Sequence, residues 1–173
     1  SVGVTYNVSE KTAIKFNVAR GYRAPNIAEI SANGVHPGTN IYQIGNGELK
    51  PEFDLQEDLG FTYQADKLSL KADLFNNDIS HYSFNQRVSS ADGGDSVVVP
   101  GNQTFKFQQV RARLYGGSVD VDVHPVKWFH FENTLSVVYG LNKGGKGEPV
   151  TDSSRYLPYI APWHTVTELS AEM

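Results

Sequence analysis

Cysteine is absent from the 173 residues, so the chain has no disulfide framework, thiolate zinc site or thiol nucleophile. Long apolar runs are missing too: no window approaches the roughly 18 consecutive apolar residues that a spanning helix needs. Mean hydropathy is -0.38. Positive charge is not in excess, with 15 Lys and Arg against 19 Asp and Glu and a formal charge of -4. No cationic surplus is available to release counterions, which excludes a general nucleic-acid clamp. The opening SVGVTYNV has neither a basic region nor a long apolar one and is not a signal peptide. A phosphate-cradling glycine loop and a serine nucleophile elbow are also lacking. None of these absences bears on a transmembrane β-barrel, whose alternating strands average out to a polar profile.

Convincing amphipathic helices are absent, and period-two alternation dominates. Val2, Val4, Tyr6 and Val8 share one face of a first strand, and Ile14, Phe16 and Val18 one face of a second, opposite Lys15 and Asn17. A third strand sets Leu55, Leu59, Phe61 and Tyr63 against Gln56, Asp58, Gly60 and Thr62. A fourth sets Leu68, Leu70, Ala72 and Leu74 against Ser69, Lys71 and Asp73. A fifth ends with Val119, Val121 and Val123 opposite Asp120 and Asp122, and turns at His124-Pro125-Val126-Lys127. The sixth carries Phe129, Phe131, Leu135, Val137 and Tyr139 opposite His130, Glu132, Thr134 and Ser136. A seventh runs from about Leu157 to Glu172, its beginning restricted by Pro158 and Pro162. The chain thus opens in one strand and stops after another, as a piece of something longer would.

Connections alternate between short and long, the long ones covering about 21–51, 79–104 and 141–156. An outer-membrane barrel has this rhythm of short turns at one end and long loops at the other. Aromatics gather near the strand ends, Tyr6, Tyr63, Trp128 and Phe129 at the short turns and Phe53, Tyr139, Tyr159 and Trp163 at the long loops. Those are the positions of membrane–water interfaces. A two-residue turn at Ala65-Asp66 places Tyr63 opposite Leu68, Phe61 opposite Leu70 and, unfavourably, Asp58 opposite Asp73. A longer turn by an even number keeps the same faces, since Ala-Asp is a weak hairpin turn. The alternative is a soluble β-sandwich, a carbohydrate-binding or adhesion module stacking exposed Tyr and Trp on sugars. The loop rhythm and the placed aromatics favour the barrel.

The segments Arg20-Gly21-Tyr22-Arg23-Ala24-Pro25 with Glu29, Gly45-Asn46 and Leu49-Lys50-Pro51-Glu52 resemble the barrel of TonB-dependent outer-membrane receptors. DLFNNDISHYSF, VRARLYGGSVDVDVHP, FHFENTLSVVYG and RYLPYIAPW extend the resemblance over nearly the whole chain. It implies an all-β fold, an antiparallel up-and-down meander of about seven strands within a large 22-stranded barrel around a plug. It also implies residence in the cell outer membrane, contact with its lipid, and uptake of a scarce nutrient (iron–siderophore, haem, metal, cobalamin or glycan) powered through TonB. On this reading residues 1–173 are a partial barrel whose plug and C-terminal strands are absent. Its partners are its own plug and the remaining strands, TonB through a missing N-terminal region, and a small nutrient ligand.

Arg23, with its planar fork, is expected to anchor the loop base to Glu29, Glu52 or the plug. Pro25 and Pro51 hold Ala24 and Lys50 extended, and Gly45 and Gly47 around Asn46 form a turn. His36, Tyr42 and His81 are candidates for ligand contact in the long loops; the two imidazoles meet only if two loops do. Asp92 and Asp95 around Gly93-Gly94 resemble a calcium loop without its ligand pattern, and read as a solvated tip. Lumen-facing candidates are Lys15, Asn17, Gln56, Asp58, Thr62, Lys71, Asp73, Asp120, Asp122, His130, Glu132 and Thr134. His130 beside Asp120 or Asp122 reads as a polar wall pair, because catalysis needs a nucleophile or activated water nearby. The sequence assigns no catalytic residue, cofactor or metal site, and no enzymatic activity is expected.

Overall fold

A computed structural model describes residues 1–89, 98–145, 150–161 and 163–171. Asp92, Asp95 and Pro162 lie outside them. Among the described residues nine strands form one sheet. β1 (Val2–Ser9), β2 (Thr12–Arg23), β5 (Glu52–Ala65), β6 (Leu68–Arg87), β7 (Gln103–Val126), β8 (Phe129–Asn142) and β9 (His164–Ala171) make an antiparallel meander. That is the seven-strand meander expected from the alternation. The addition is inside the first long connection, where a short helix α1 (Ile27–Ser31) precedes β3 (Asn33–Val35) and β4 (Ile41–Ile44). β4 lies parallel to the start of β7, a departure from a purely antiparallel sheet.

Register confirms the faces and corrects two turns. Phe16 pairs with Leu59, Leu59 with Leu74, and Val119 with both Ala72 and Leu135, so the apolar stripes are continuous from strand to strand. The β5–β6 turn is Asp66-Lys67, one residue later than expected, because Ala65 pairs with Leu68. Tyr63 therefore faces Leu70, and Asp73 faces Gly60 while Asp58 faces Phe75. The expected like-charge pair does not form, and the two-residue shift keeps every side chain on its side. The β7–β8 strands continue through His124 to Val126 by means of a bulge, leaving Lys127-Trp128 as the turn.

Strand lengths also differ from the expected boundaries. β6 runs on into the 79–104 stretch as far as Arg87, which pairs with Phe105 of β7 beyond a bulge between Ile79 and Tyr82. Polar alternation concealed this extension: both faces are wet beyond the membrane, so the apolar stripe that marks a strand fades there. At the other extreme, the last strand begins only at His164; after Pro158, Tyr159 adopts a positive φ of 63° that breaks the extended run.

A sandwich would seal one apolar face against a second sheet. Among the described residues no second layer covers this sheet: Val2 is 79% exposed, Tyr6 68%, Leu74 60% and Leu169 64%. Among the described residues only Ile79, Phe105, Ala112 and Leu157 are buried hydrophobics. A sheet with an unburied apolar face needs another apolar phase to cover it. On β8 that face runs from Phe129 to Tyr139, ten residue steps or about 33 Å of strand, which at a tilt near 40° spans about 25 Å, the height of a barrel's lipid band. Polar groups on this face are paired. Asn133 donates to the Thr165 and Thr167 hydroxyls and the Val166 carbonyl. Glu57 accepts from Asn76, which in turn accepts from Arg113 at the level of the stacked Tyr115 and Tyr139 rings.

Candidate functional site

The opposite face is polar, and the register lines its residues into rows. Lys15 pairs with Gly60, Asn17 with Asp58, Thr62 with Lys71, Lys71 with Asp120, and Asp120 with Thr134. Asp58 accepts from Asn17 at 3.1 Å and from Gln56 at 2.7 Å. Lys71 pairs with Asp73 at 2.9 Å, and Thr134 donates to Asp120 at 2.7 Å. His130 Nε2 lies 2.5 Å from Asp122 Oδ1 and 3.4 Å from Glu132. The wall is thus a hydrogen-bonded lattice of acceptors and donors, which Ser136 Oγ and His164 Nδ1, 2.7 Å apart, continue onto β9.

At the long-loop end the lattice tightens around Arg23. It ends β2, opposite Glu52 at the start of β5. Its terminal nitrogen donates to both Glu29 oxygens at 2.9 and 3.0 Å, and its Nε donates to Glu52 Oε2 at 3.0 Å. A second terminal nitrogen completes the bidentate pair with Glu52 Oε1. Glu52 also accepts the Ser83 backbone N–H at 2.7 Å, and Glu29 that of Asn26 at 2.8 Å. One guanidinium therefore joins β2, α1, β5 and β6. The Glu52 hydrogen bonds raise the Arg23 pKa further above its already high value, against a smaller opposing effect of burial. Partial burial pushes Glu52 up, but Arg23 and the Ser83 N–H outweigh it, and the carboxyl sits below its ordinary value of 4.5.

Local sequence explains why Glu29 is there. Asn26 caps α1, accepting from the Glu29 N–H at 2.9 Å while the Glu29 carboxylate reaches back to the Asn26 N–H. Asn-x-x-Glu after Pro25 is a capping-box signal that the absence of a long helix obscured. Beyond α1 the chain returns close by: Gly45 N–H donates to Ala32 and Asn46 N–H to Glu29. A Cβ on Gly45 would lie 2.6 Å from backbone atoms of Ile30 and Ala32, so only glycine fits.

Lys50 and Pro51 are held by a residue that alternation did not single out. Gln109 accepts from the Lys50 N–H at 2.8 Å, and its amide nitrogen reaches the carbonyls of Lys50 and His81 and the Ser83 hydroxyl. His81, at a positive φ of 61° in the β6 bulge, donates from Nδ1 to the Pro51 carbonyl at 3.2 Å. His36 is exposed and bonds the Pro37 carbonyl; Tyr42 donates to Asn33. Each of these three ligand candidates thus bonds a separate local partner. Across the polar face, Leu157 and Ile160 fold back onto Ile79, Ala112 and Leu114. Gly140 leaves them room, since a Cβ there would lie 2.7 Å from Ile160.

A model of the TonB dependent receptor-like β-barrel matches residues 1–171. The chain belongs to this family of TonB-dependent receptors. These are outer-membrane receptors and not enzymes. The ferric enterobactin receptor of Pseudomonas aeruginosa is 29% identical over 188 aligned positions, covering 99% of this chain and 25% of the receptor. The probable TonB-dependent siderophore receptor PirA of Acinetobacter baumannii is 26% identical, over 74% of this chain and 20% of its own length. The chain thus spans a quarter or less of these two relatives. Among solved structures, the copper transporter OprC superposes with a TM-score of 0.75 at 18% identity, over 99% of this chain and 23% of that one. The Serratia marcescens hemophore receptor HasR superposes at 0.70 and 18% identity, over 99% of this chain and 29% of that one.

Proposed function

We propose that this receptor chain forms part of the barrel wall of a TonB-dependent transporter that imports a scarce nutrient, with an anionic ferric siderophore as the preferred class. The remaining strands and a plug would complete the barrel, lipid would cover the apolar face, and TonB would supply energy through the plug. The stretches between strands at the long-loop end would recognise the nutrient, on a base held by Arg23, Pro25, Glu29, Lys50, Pro51 and Glu52. The carrying observation is an open cleft at that end lined by Lys50 and Lys106, with Arg111, whose guanidinium also lies 3.7 Å from Asp78, at its edge and Glu48 as its acidic counterweight. Cationic groups around a concavity attract anions and raise their association rate. The siderophore receptors among the relatives support the same class.

The test uses the full-length protein in an iron-limited host. Growth on a ferric catecholate siderophore as sole iron source, lost on deletion and restored by the gene, is the expected result. K50Q/K106Q is expected to weaken siderophore binding by about tenfold and to flatten its salt dependence. Growth support confined to haem or cobalamin would overturn the substrate class.

A further inference from the structure

At the short-turn end, far from the Arg23 anchor, the wall carries a second cluster. Among the described residues, Asp122, His124 and His130 form the one group of three metal-type ligands whose donor atoms all lie within 4.8 Å of one another. We propose that these three side chains bind a divalent transition-metal ion of the zinc class, with Glu132 as fourth ligand. The ion would brace the lower rim of the wall.

Register and bulge build the cluster. Asp122 pairs directly with Glu132, so His130, two positions before Glu132, shares its face. The bulge after Val123 swings His124 back toward Asp122. His124 is then pinned to the neighbouring hairpin turn: its backbone N–H donates to Lys67 and its Nε2 donates to the Asp66 carbonyl at 2.7 Å. A carbonyl only accepts, so Nε2 is engaged as a donor and Nδ1 is the ring nitrogen turned toward the cluster. Nδ1 lies 3.4 Å from Asp122 Oδ1. The same carboxylate oxygen also faces His130 Nε2 at 2.5 Å, so three donor atoms on two strands converge on one small space. A metal ion is a partner that all three can share. The Asp66 carbonyl is the outer partner that a metal-ligating imidazole usually has.

Distances fit this reading. Tetrahedral zinc with bonds of about 2.0–2.1 Å needs donors about 3.3 Å apart. His124 and Asp122 already stand at 3.4 Å, and Glu132 Oε1 is 3.4 Å from His130 Nε2. His130 must withdraw from Asp122 by about 0.8 Å, and both side chains are more than a third exposed and free to do so; Glu132, close to His130 but outside the three-residue group, must swing inward. A cleft lined by Asp66, Lys67, His124, Trp128 and His130 gives the ion its way in. Imidazole and carboxylate together suit zinc better than calcium or magnesium, which prefer oxygen alone. Spacing hid the site, since Asp122 and His124 lie on one strand and His130 on the next.

The experiment titrates the full-length protein, folded in detergent, with Co²⁺ and then displaces it with Zn²⁺. Its readout is independent of nutrient uptake. One equivalent of Co²⁺ is expected to give the intense visible bands of a four-coordinate site and to be displaced stoichiometrically by Zn²⁺. H124N, H130N and D122N should each weaken binding by more than about tenfold, while H36N leaves it unchanged. H130C should keep the site and add a thiolate-to-cobalt charge-transfer band. Heat-modifiable gel mobility confirms that each variant is folded. Absence of a stoichiometric site in the folded wild type, or binding unchanged in H124N/H130N, would overturn the proposal.

Discussion

Replacing Arg23 with alanine removes the one cation that two carboxylates share. Charge-assisted hydrogen bonds contribute about 1.5–3 kcal/mol each, and Arg23 makes one bidentate set to each of two acids. That sets an upper range of about 3–6 kcal/mol. Two effects reduce it. The Arg23 side chain is 44% exposed, so solvent screens the pairs. Glu29 and Glu52 keep the Asn26 and Ser83 N–H donors, so neither is stranded without a partner. A loss of about 2–3 kcal/mol remains, confined to α1 and the adjoining strand ends. Hydrogen exchange reads this locally. The amides of Ile30, Asn46 and Ser83 should exchange about 30- to 150-fold faster in R23A, while β8 amides are unchanged. R23K keeps the charge but cannot grip two carboxylates as a planar fork does, and should fall between. Unchanged exchange at α1 in R23A would refute the anchor.

Acid should loosen the same joint. Glu52 has a lowered pKa in the fold, so its contribution is complete above its ordinary value of 4.5 and is lost as pH falls through the lower folded value. Exchange at Ser83 should quicken in that range and not between pH 6 and 8. Adjacent residues on β6 should behave oppositely under substitution. L74R, on the apolar face, should cost about 2–4 kcal/mol if it meets the bilayer middle, whereas D73N, on the polar face, should leave folding nearly intact; the folded fraction in outer membranes decides it. L157A should loosen residues 156–160 by about 2–3 kcal/mol, seen as new protease sensitivity there. Q109A should free the Lys50–Pro51 segment, raising its backbone mobility in spin-label spectra while β1 is unaffected.

Alternation determined the meander and which face of each strand is apolar, while the loop rhythm, the placed aromatics and the Arg20–Pro25 and Leu49–Glu52 segments pointed to the class of protein. Alternation did so because the pleat has a strict period of two, and a face that meets lipid tolerates few charges. Glu57, Asn76, Arg113 and Asn133 are among the exceptions on that face, and each is satisfied by a neighbour on another strand. The Arg23 motif identified its own partners by residue type. What tertiary structure decided depends on contacts between segments distant in sequence. The Asp66-Lys67 turn came from the pairing of whole strands, which outweighs a weak local turn preference. Long β6 and β7 extensions, the parallel seat of β4 and the Gln109 clasp lie where water wets both faces and no apolar stripe records them. The meeting of Asp122, His124 and His130 required a bulge and a neighbouring turn, because linear spacing says nothing about which side chains two hairpins bring face to face.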